Sequence, residues 1–120
     1  MTVHISKAGA EIENALAPTP AVLINTFVAK PGKLDAFLAV QAAELSRLTE
    51  QSPPAGWRGS RLHRSLDDDK AVMVTVFDTV EDHQRWLRTD EFLNHVKIIE
   101  DFLEDGSPGY YEIVASAGHL

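Results

Sequence analysis

The heptapeptide Ala71-Val72-Met73-Val74-Thr75-Val76-Phe77 puts apolar side chains on both sides of any extended strand it forms. Its β-branched residues are stiff at χ1 and suit a pleated surface better than a helix. Side chains alternate between the two faces of a strand, so both faces of this one need cover. Ala21 to Ala29 has the same property. Leu23, Asn25 and Phe27 point one way, and Val22, Ile24, Thr26 and Val28 the other. A chain with two such strands has to fold so that its sheet is protected from two directions.

The segments between these strands are legible from periodicity and punctuation. Pro31-Gly32-Lys33 is a turn, and a helix runs from it to about Glu50 with Leu34, Phe37, Leu38, Gln41, Leu45 and Leu48 on one face. Ser52-Pro53-Pro54-Ala55-Gly56 is a loop, and Trp57 to Leu66 alternates as a strand with Trp57, Gly59, Arg61, His63 and Ser65 on one side. Asp67-Asp68-Asp69 turns the chain into Ala71–Phe77. Thr79-Val80-Glu81-Asp82 opens a helix as a hydroxyl followed three residues later by an acid. Thr89-Asp90 opens another, expected to run to about Leu103 with Phe92, Val96, Ile99 and Leu103 in one stripe. Gly106-Ser107-Pro108-Gly109 reads as a turn before a last strand from Tyr110 to Ala115.

The resulting β-α-β-β-α-β order is the ferredoxin-like arrangement, an α+β fold with a four-stranded antiparallel sheet and its helices on one face. Residues 1–20, small, polar and ending in Pro18 and Pro20, form an N-terminal arm, with Thr2–Ile5 able to pair at a sheet edge; residues 21–120 form the domain. Helices cover one side of the sheet only. The other side carries Val22, Ile24, Val28 and half of the third strand, an apolar patch that marks an interface. A sheet-on-sheet homodimer is the simplest cover.

Composition excludes several classes. The net charge of −7 gives no electrostatic footprint for nucleic acid or an anionic membrane. There is no cysteine, which removes thiol chemistry and iron–sulfur ligation. No apolar run is long enough to span a bilayer, and no signal peptide is recognisable, so a cytoplasmic location is expected. His-x-x-x-His spacing, Gly-rich phosphate loops and a nucleophile elbow are also missing, so no metal site is expected.

A few residues stand out chemically. Asn25 interrupts an apolar strand, where an amide needs a partner, whether backbone or ligand. Trp86 lies on the helix that crosses one sheet face, as core or as pocket wall, and Asp82 lies one turn before it, where it also suits the Thr79 cap. His63 and His95 are the candidate proton carriers, His95 lying beside the stripe formed by Phe92 and Ile99. His83 is expected to face solvent.

Three stretches together resemble the antibiotic biosynthesis monooxygenase domain: Val22 to Val28 with Pro31-Gly32-Lys33, Gly56 to Ser65, and Trp86-Leu87-Arg88-Thr89-Asp90-Glu91-Phe92. The likeness spans about residues 21–114. It implies a dimeric α+β barrel. In the cofactor-free anthrone oxygenases of this family an Asn on the first strand and a Trp on the later helix line the pocket, which corresponds to Asn25 and Trp86; the position of a second Asn carries Asp82. In the haem-degrading branch the axial His position falls on Val96, and His95, one residue away, is turned by about 100° around the helix.

The first branch implies a small monooxygenase, without a cofactor, that oxidises a polycyclic hydroxyaromatic or quinol-like substrate with dioxygen. Asn25 and Trp86 would bind a developing oxyanion and His63 would act as base. Leu23, Phe27, Asp82, His95 and Phe92 would contact substrate. Haem degradation and a non-catalytic ligand-binding dimer are the alternatives.

Overall fold

A computed structural model describes residues 20–119, so residues 1–19 of the expected N-terminal arm lie outside the described residues. The elements are β1 (Ala21–Ala29), α1 (Leu34–Glu50), β2 (Trp57–Arg64), β3 (Lys70–Phe77), α2 (Val80–Leu87), α3 (Asp90–Ile99), a 3₁₀ turn (Glu100–Phe102) and β4 (Leu103–Tyr111). The four strands form one antiparallel sheet in the order β2-β3-β1-β4. The two strands apolar on both faces, β1 and β3, are therefore its centre. This is the ferredoxin-like α+β fold, with the second helical segment divided into α2 and α3.

The division follows from two helix starts in close succession. Thr79 Oγ1 accepts from the Asp82 amide at 3.0 Å, and Thr89 Oγ1 accepts from the Phe92 amide at 3.2 Å. Each satisfies a donor that the first helical turn leaves unpaired.

The β1–β3 register pairs Leu23 with Thr75, Asn25 with Met73 and Phe27 with Ala71, and these residues face the helices. Phe27 packs against Phe37 with ring centroids 4.9 Å apart, and both join Ala29, Leu34, Ala71 and Ile99 in the main core. Phe37 is fully buried. On the opposite face Ile24, Thr26, Val28, Val72, Val74 and Val76 are half-buried, and no helix of the described residues lies over them.

Two local expectations need correction. The Gly106–Gly109 stretch is the middle of β4, not a turn, and α3 stops at Ile99. β4 pairs with β1 from Leu103 to Tyr111, Pro108 opposite Asn25. An edge strand has one side free of ladder bonds, so a proline without N–H is tolerated there. In β2 the register shifts between Trp57 and Gly59. The extra residue turns Trp57 to the helix side, while Arg61 and His63 stay on the open side.

Two of the positive-φ glycines sit in different surroundings. Gly32 (φ 76°) has open space where a Cβ would sit, whereas at Gly56 (φ 79°) a Cβ would overlap the Asp82 carboxylate. Gly32→Ala should cost about 1–2 kcal/mol from the left-handed backbone alone. Gly56→Ala should cost clearly more, because the α2 cap must also move. Urea unfolding of both variants checks this; equal losses would contradict it.

Candidate active site

A cavity of about 210 Å³ lies between the helix-facing side of the sheet and the three helices. Leu23 and Phe27 from β1, Leu45 and Leu48 from α1, and Phe92 and Ile99 around α3 give it apolar walls. Its polar groups are few and come from different elements, the pattern of a small-molecule pocket.

Asn25 is on the floor. Its Oδ1 is buried without a hydrogen-bond partner among the described residues. An unsatisfied buried amide oxygen costs about 1–3 kcal/mol, so Asn25 is an expensive residue at this position unless a donor reaches it. Trp86, at the end of α2, lines the same cavity and packs edge-on to Phe92, ring centroids 6.1 Å apart. Trp57 also lines it, owing to the β2 bulge, and its indole Nε1 donates to Ser60 Oγ at 3.0 Å, which lies 2.8 Å from Thr75 Oγ1.

His95 reaches the cavity from α3. Its Nε2 is 2.7 Å from Gln41 Oε1, and Nδ1 is 3.7 Å from Glu44 Oε2. Burial pushes its pKa down; the Glu44 carboxylate works against that shift and the Arg47 guanidinium adds to it. Glu44 is gripped by Arg47 through Nε at 2.6 Å and Nη2 at 3.1 Å, and Arg47 also reaches Glu91 at 3.1 Å.

His83 overturns an expectation. It is buried, 5% exposed, not solvent-facing, and it lines the cavity. Its Nδ1 lies 2.7 Å from Tyr110 Oη, and its ring sits 5.2 Å from that of Phe77. The i, i+3 spacing to Trp86 was the signal for this position, since residues three apart share a helix face.

Two proposed participants lie elsewhere. His63 is exposed on the open sheet face, in a shallow depression with Arg61, Val74 and Val76, Nδ1 3.2 Å from the Val72 carbonyl. The sheet separates it from the cavity of its own chain. Asp82 does not line the cavity. Its carboxylate accepts from Thr79 Oγ1 at 2.9 Å and pairs with Arg85 at 2.8 Å. The Thr79 hydroxyl and then Arg85 hold it below the usual carboxylate range, as an ionised helix cap. Leu23, Phe27, Phe92 and Val96 all line the cavity. No cluster of three His, Asp or Glu side chains suited to a metal occurs among the described residues.

The family model for antibiotic biosynthesis monooxygenase matches residues 20–98. The chain belongs to this family. Solved structures agree on the fold. SnoaB, a cofactor-independent oxygenase from Streptomyces nogalater, superposes with a TM-score of 0.70 at 20% identity, covering 84% of this chain and 99% of its own. PA3566 from Pseudomonas aeruginosa gives 0.69 at 23% identity (81% and 96% covered), and Rv0793 from Mycobacterium tuberculosis 0.69 at 17% (83% and 100%). No curated protein matches in sequence. The matched region of the antibiotic biosynthesis monooxygenase domain includes every cavity element except the β4 edge.

The buried histidines make stability pH-dependent. Desolvation lowers the His83 pKa below its ordinary value of 6.5. Between the folded and unfolded values the unfolded chain binds the extra proton, so stability rises with pH. The contribution is complete above about pH 6.5 and is lost as pH falls through the folded pKa; His95 adds a contribution of the same sign. Thermal melts between pH 8 and pH 5 should show Tm falling on the acid side, and His83→Gln should flatten that fall. An unchanged slope in the variant would count against buried neutral His83.

Proposed function

We propose that this chain is a monooxygenase that needs no cofactor and oxidises a polycyclic hydroxyaromatic or quinol-like substrate with dioxygen, acting in the cytoplasm as a homodimer. The observation that carries the reading is the unpaired Asn25 Oδ1 in an apolar cavity that Trp86 also lines. A neutral hydroxyl donates to Oδ1 on binding. Once it ionises, the other end of the same amide and the Trp86 indole N–H are donors available to the oxyanion. Apolar walls exclude water, which strengthens both interactions.

The chemistry balances without an external reductant. At an activated ring CH₂, reaction with O₂ yields C=O and H₂O: one oxygen atom enters the substrate, the other leaves as water, and the substrate supplies the electrons. The ionised substrate is the electron donor. The protein therefore has to bind, dehydrate and stabilise an anion rather than hold a redox group.

Haem has less support in these residues. The position expected for its axial ligand is Val96, an apolar part of the cavity wall, and the Nε2 of neighbouring His95 is engaged by Gln41 Oε1. A non-catalytic ligand-binding role is the outcome if no substrate is turned over.

Asn25→Ala and Trp86→Phe should each lower oxygen uptake on an anthrone by about 10²–10³-fold, the usual loss for one oxyanion donor. Trp86→Phe keeps an aromatic wall and removes the N–H. Normal turnover in both variants would sink the assignment.

The homodimer rests on the open apolar face. Sedimentation at micromolar concentration should give twice the chain mass, with an interface above the roughly 800 Å² of crystal contacts. Val74→Lys, in the centre of that face, should shift the protein to monomer. A stable wild-type monomer would contradict the arrangement.

A further inference from the structure

The oxygenase reading requires that a hydroxyl proton leave the substrate, and the histidine expected to take it, His63, is on the wrong face of the sheet. We infer that His95 is the proton acceptor of this site and that Glu44 holds the imidazolium it forms. The inference rests on the function proposed above and assigns the first step of that reaction.

The geometry around His95 differs from that of a simple structural pin. Gln41 Nε2 donates to Met73 Sδ at 3.4 Å, which turns its Oε1 towards His95 Nε2 at 2.7 Å. An oxygen acceptor at that distance makes Nε2 the protonated nitrogen of neutral His95. The basic lone pair is then on Nδ1, with Glu44 Oε2 3.7 Å from that nitrogen. At that distance the two acceptors share no hydrogen bond, and a hydroxyl in the cavity that both residues line can donate to Nδ1 from beside Glu44. A proton on Nδ1 converts that opposition into an ion pair. Both side chains are nearly buried, 11% and 13% exposed, so the attraction acts where water screens it little.

Other charges support rather than compete with this role. From α1, Gln41 and Glu44 face His95, with Arg47 behind them. From the sheet, Asn25 and Met73 line the same cavity and neither titrates. On α3 itself, Glu91 engages Arg47, which is thereby shared between two carboxylates. Burial keeps His95 neutral at pH 7, so it is able to receive a proton. His83, the other cavity histidine, has Nδ1 occupied by Tyr110 Oη and no carboxylate paired with it among the described residues. An imidazolium there would be buried and uncompensated.

The step moves one proton. The O–H bond of the substrate breaks, its electron pair stays on oxygen, and the proton forms an N–H bond at His95 Nδ1. The phenolate remains for reaction with dioxygen, and the proton is available to the reduced oxygen that leaves as water.

A hydroxyanthraquinone tests the step apart from turnover, because its colour reports ionisation and its carbonyl carbons are already oxidised. Titrated with pH while bound to the full-length protein, it should ionise at lower pH than in solution. In His95→Gln, which retains an amide for Gln41, ionisation of the bound dye should move up by a pH unit or more. Glu44→Gln should move it in the same direction by less, and serves if His95→Gln does not fold. On a hydroxyanthrone, which carries the ring CH₂ that becomes C=O, His95→Gln should lower kcat/KM by about 10²–10⁴-fold and remove the acid limb of its pH profile, and a more acidic anthrone should recover most of the loss. Dye ionisation unchanged in both variants would overturn the assignment, even if oxygen is consumed. A His95-dependent dye shift without oxygen uptake on any substrate would instead uphold the proton acceptor and overturn the oxygenase reading.

Discussion

The structure depends on one constraint: its two central strands are apolar on both faces. β1 and β3 pair along Ala21–Val28 and Lys70–Phe77, so their side chains form two continuous apolar surfaces. Burying such surface contributes roughly 25 cal/mol per Å², and neither surface is stable facing water. Three helices are drawn to one side. The other stays half-exposed in the single chain, and this same requirement underlies the homodimer proposal.

The helix layer does more than cover the sheet. It packs tightly at one end, around Ala29, Leu34, Phe37 and Ala71, and stands off towards the other, where the cavity opens, with Phe27 and Ile99 at the boundary. The tight end is what permits the loose one. A cavity lacks the dispersion contacts of a filled core, and that deficit has to be offset nearby. Polar atoms inside it are costly as well. Asn25, Gln41, Glu44, His83 and His95 are all poor choices for a region whose only task is stability. Their convergence from β1, α1, α2 and α3 on one space is the strongest physical sign that the space has a chemical use.

Not every polar residue that looked functional joins them. Asp82 is explained by its helix: it closes the Thr79 cap, pairs with Arg85 and abuts Gly56. His63 is explained by strand parity, since it pairs with Val72 on the face away from the helices. Trp57 moves in the opposite direction, into the cavity, because one extra residue in β2 reverses its side. A slip of one residue in an extended strand inverts the exposure of everything beyond it, and no feature of Trp57 to Gly59 taken alone announces the slip.

What the sequence determined by itself was everything with a short period. The two-faced strands, the amphipathic stripe of α1, the caps at Thr79 and Thr89, the element order and the oddity of Asn25 all follow from neighbours within a few positions. Gln41 within the apolar stripe of α1 was visible too, though not its purpose. Tertiary structure alone decided the rest. β4 runs through Gly106-Ser107-Pro108-Gly109 because β1 offers it a ladder, and local propensity is overruled by that distant partner. His83 is buried because α2 rotates to seat it against Phe77 and Tyr110. His95 meets Glu44 across 51 positions of chain because α1 and α3 lie side by side over the sheet. These outcomes depend on packing between elements far apart in the chain, and sequence periodicity carries information only about the face a residue takes, not about what another element brings to meet it.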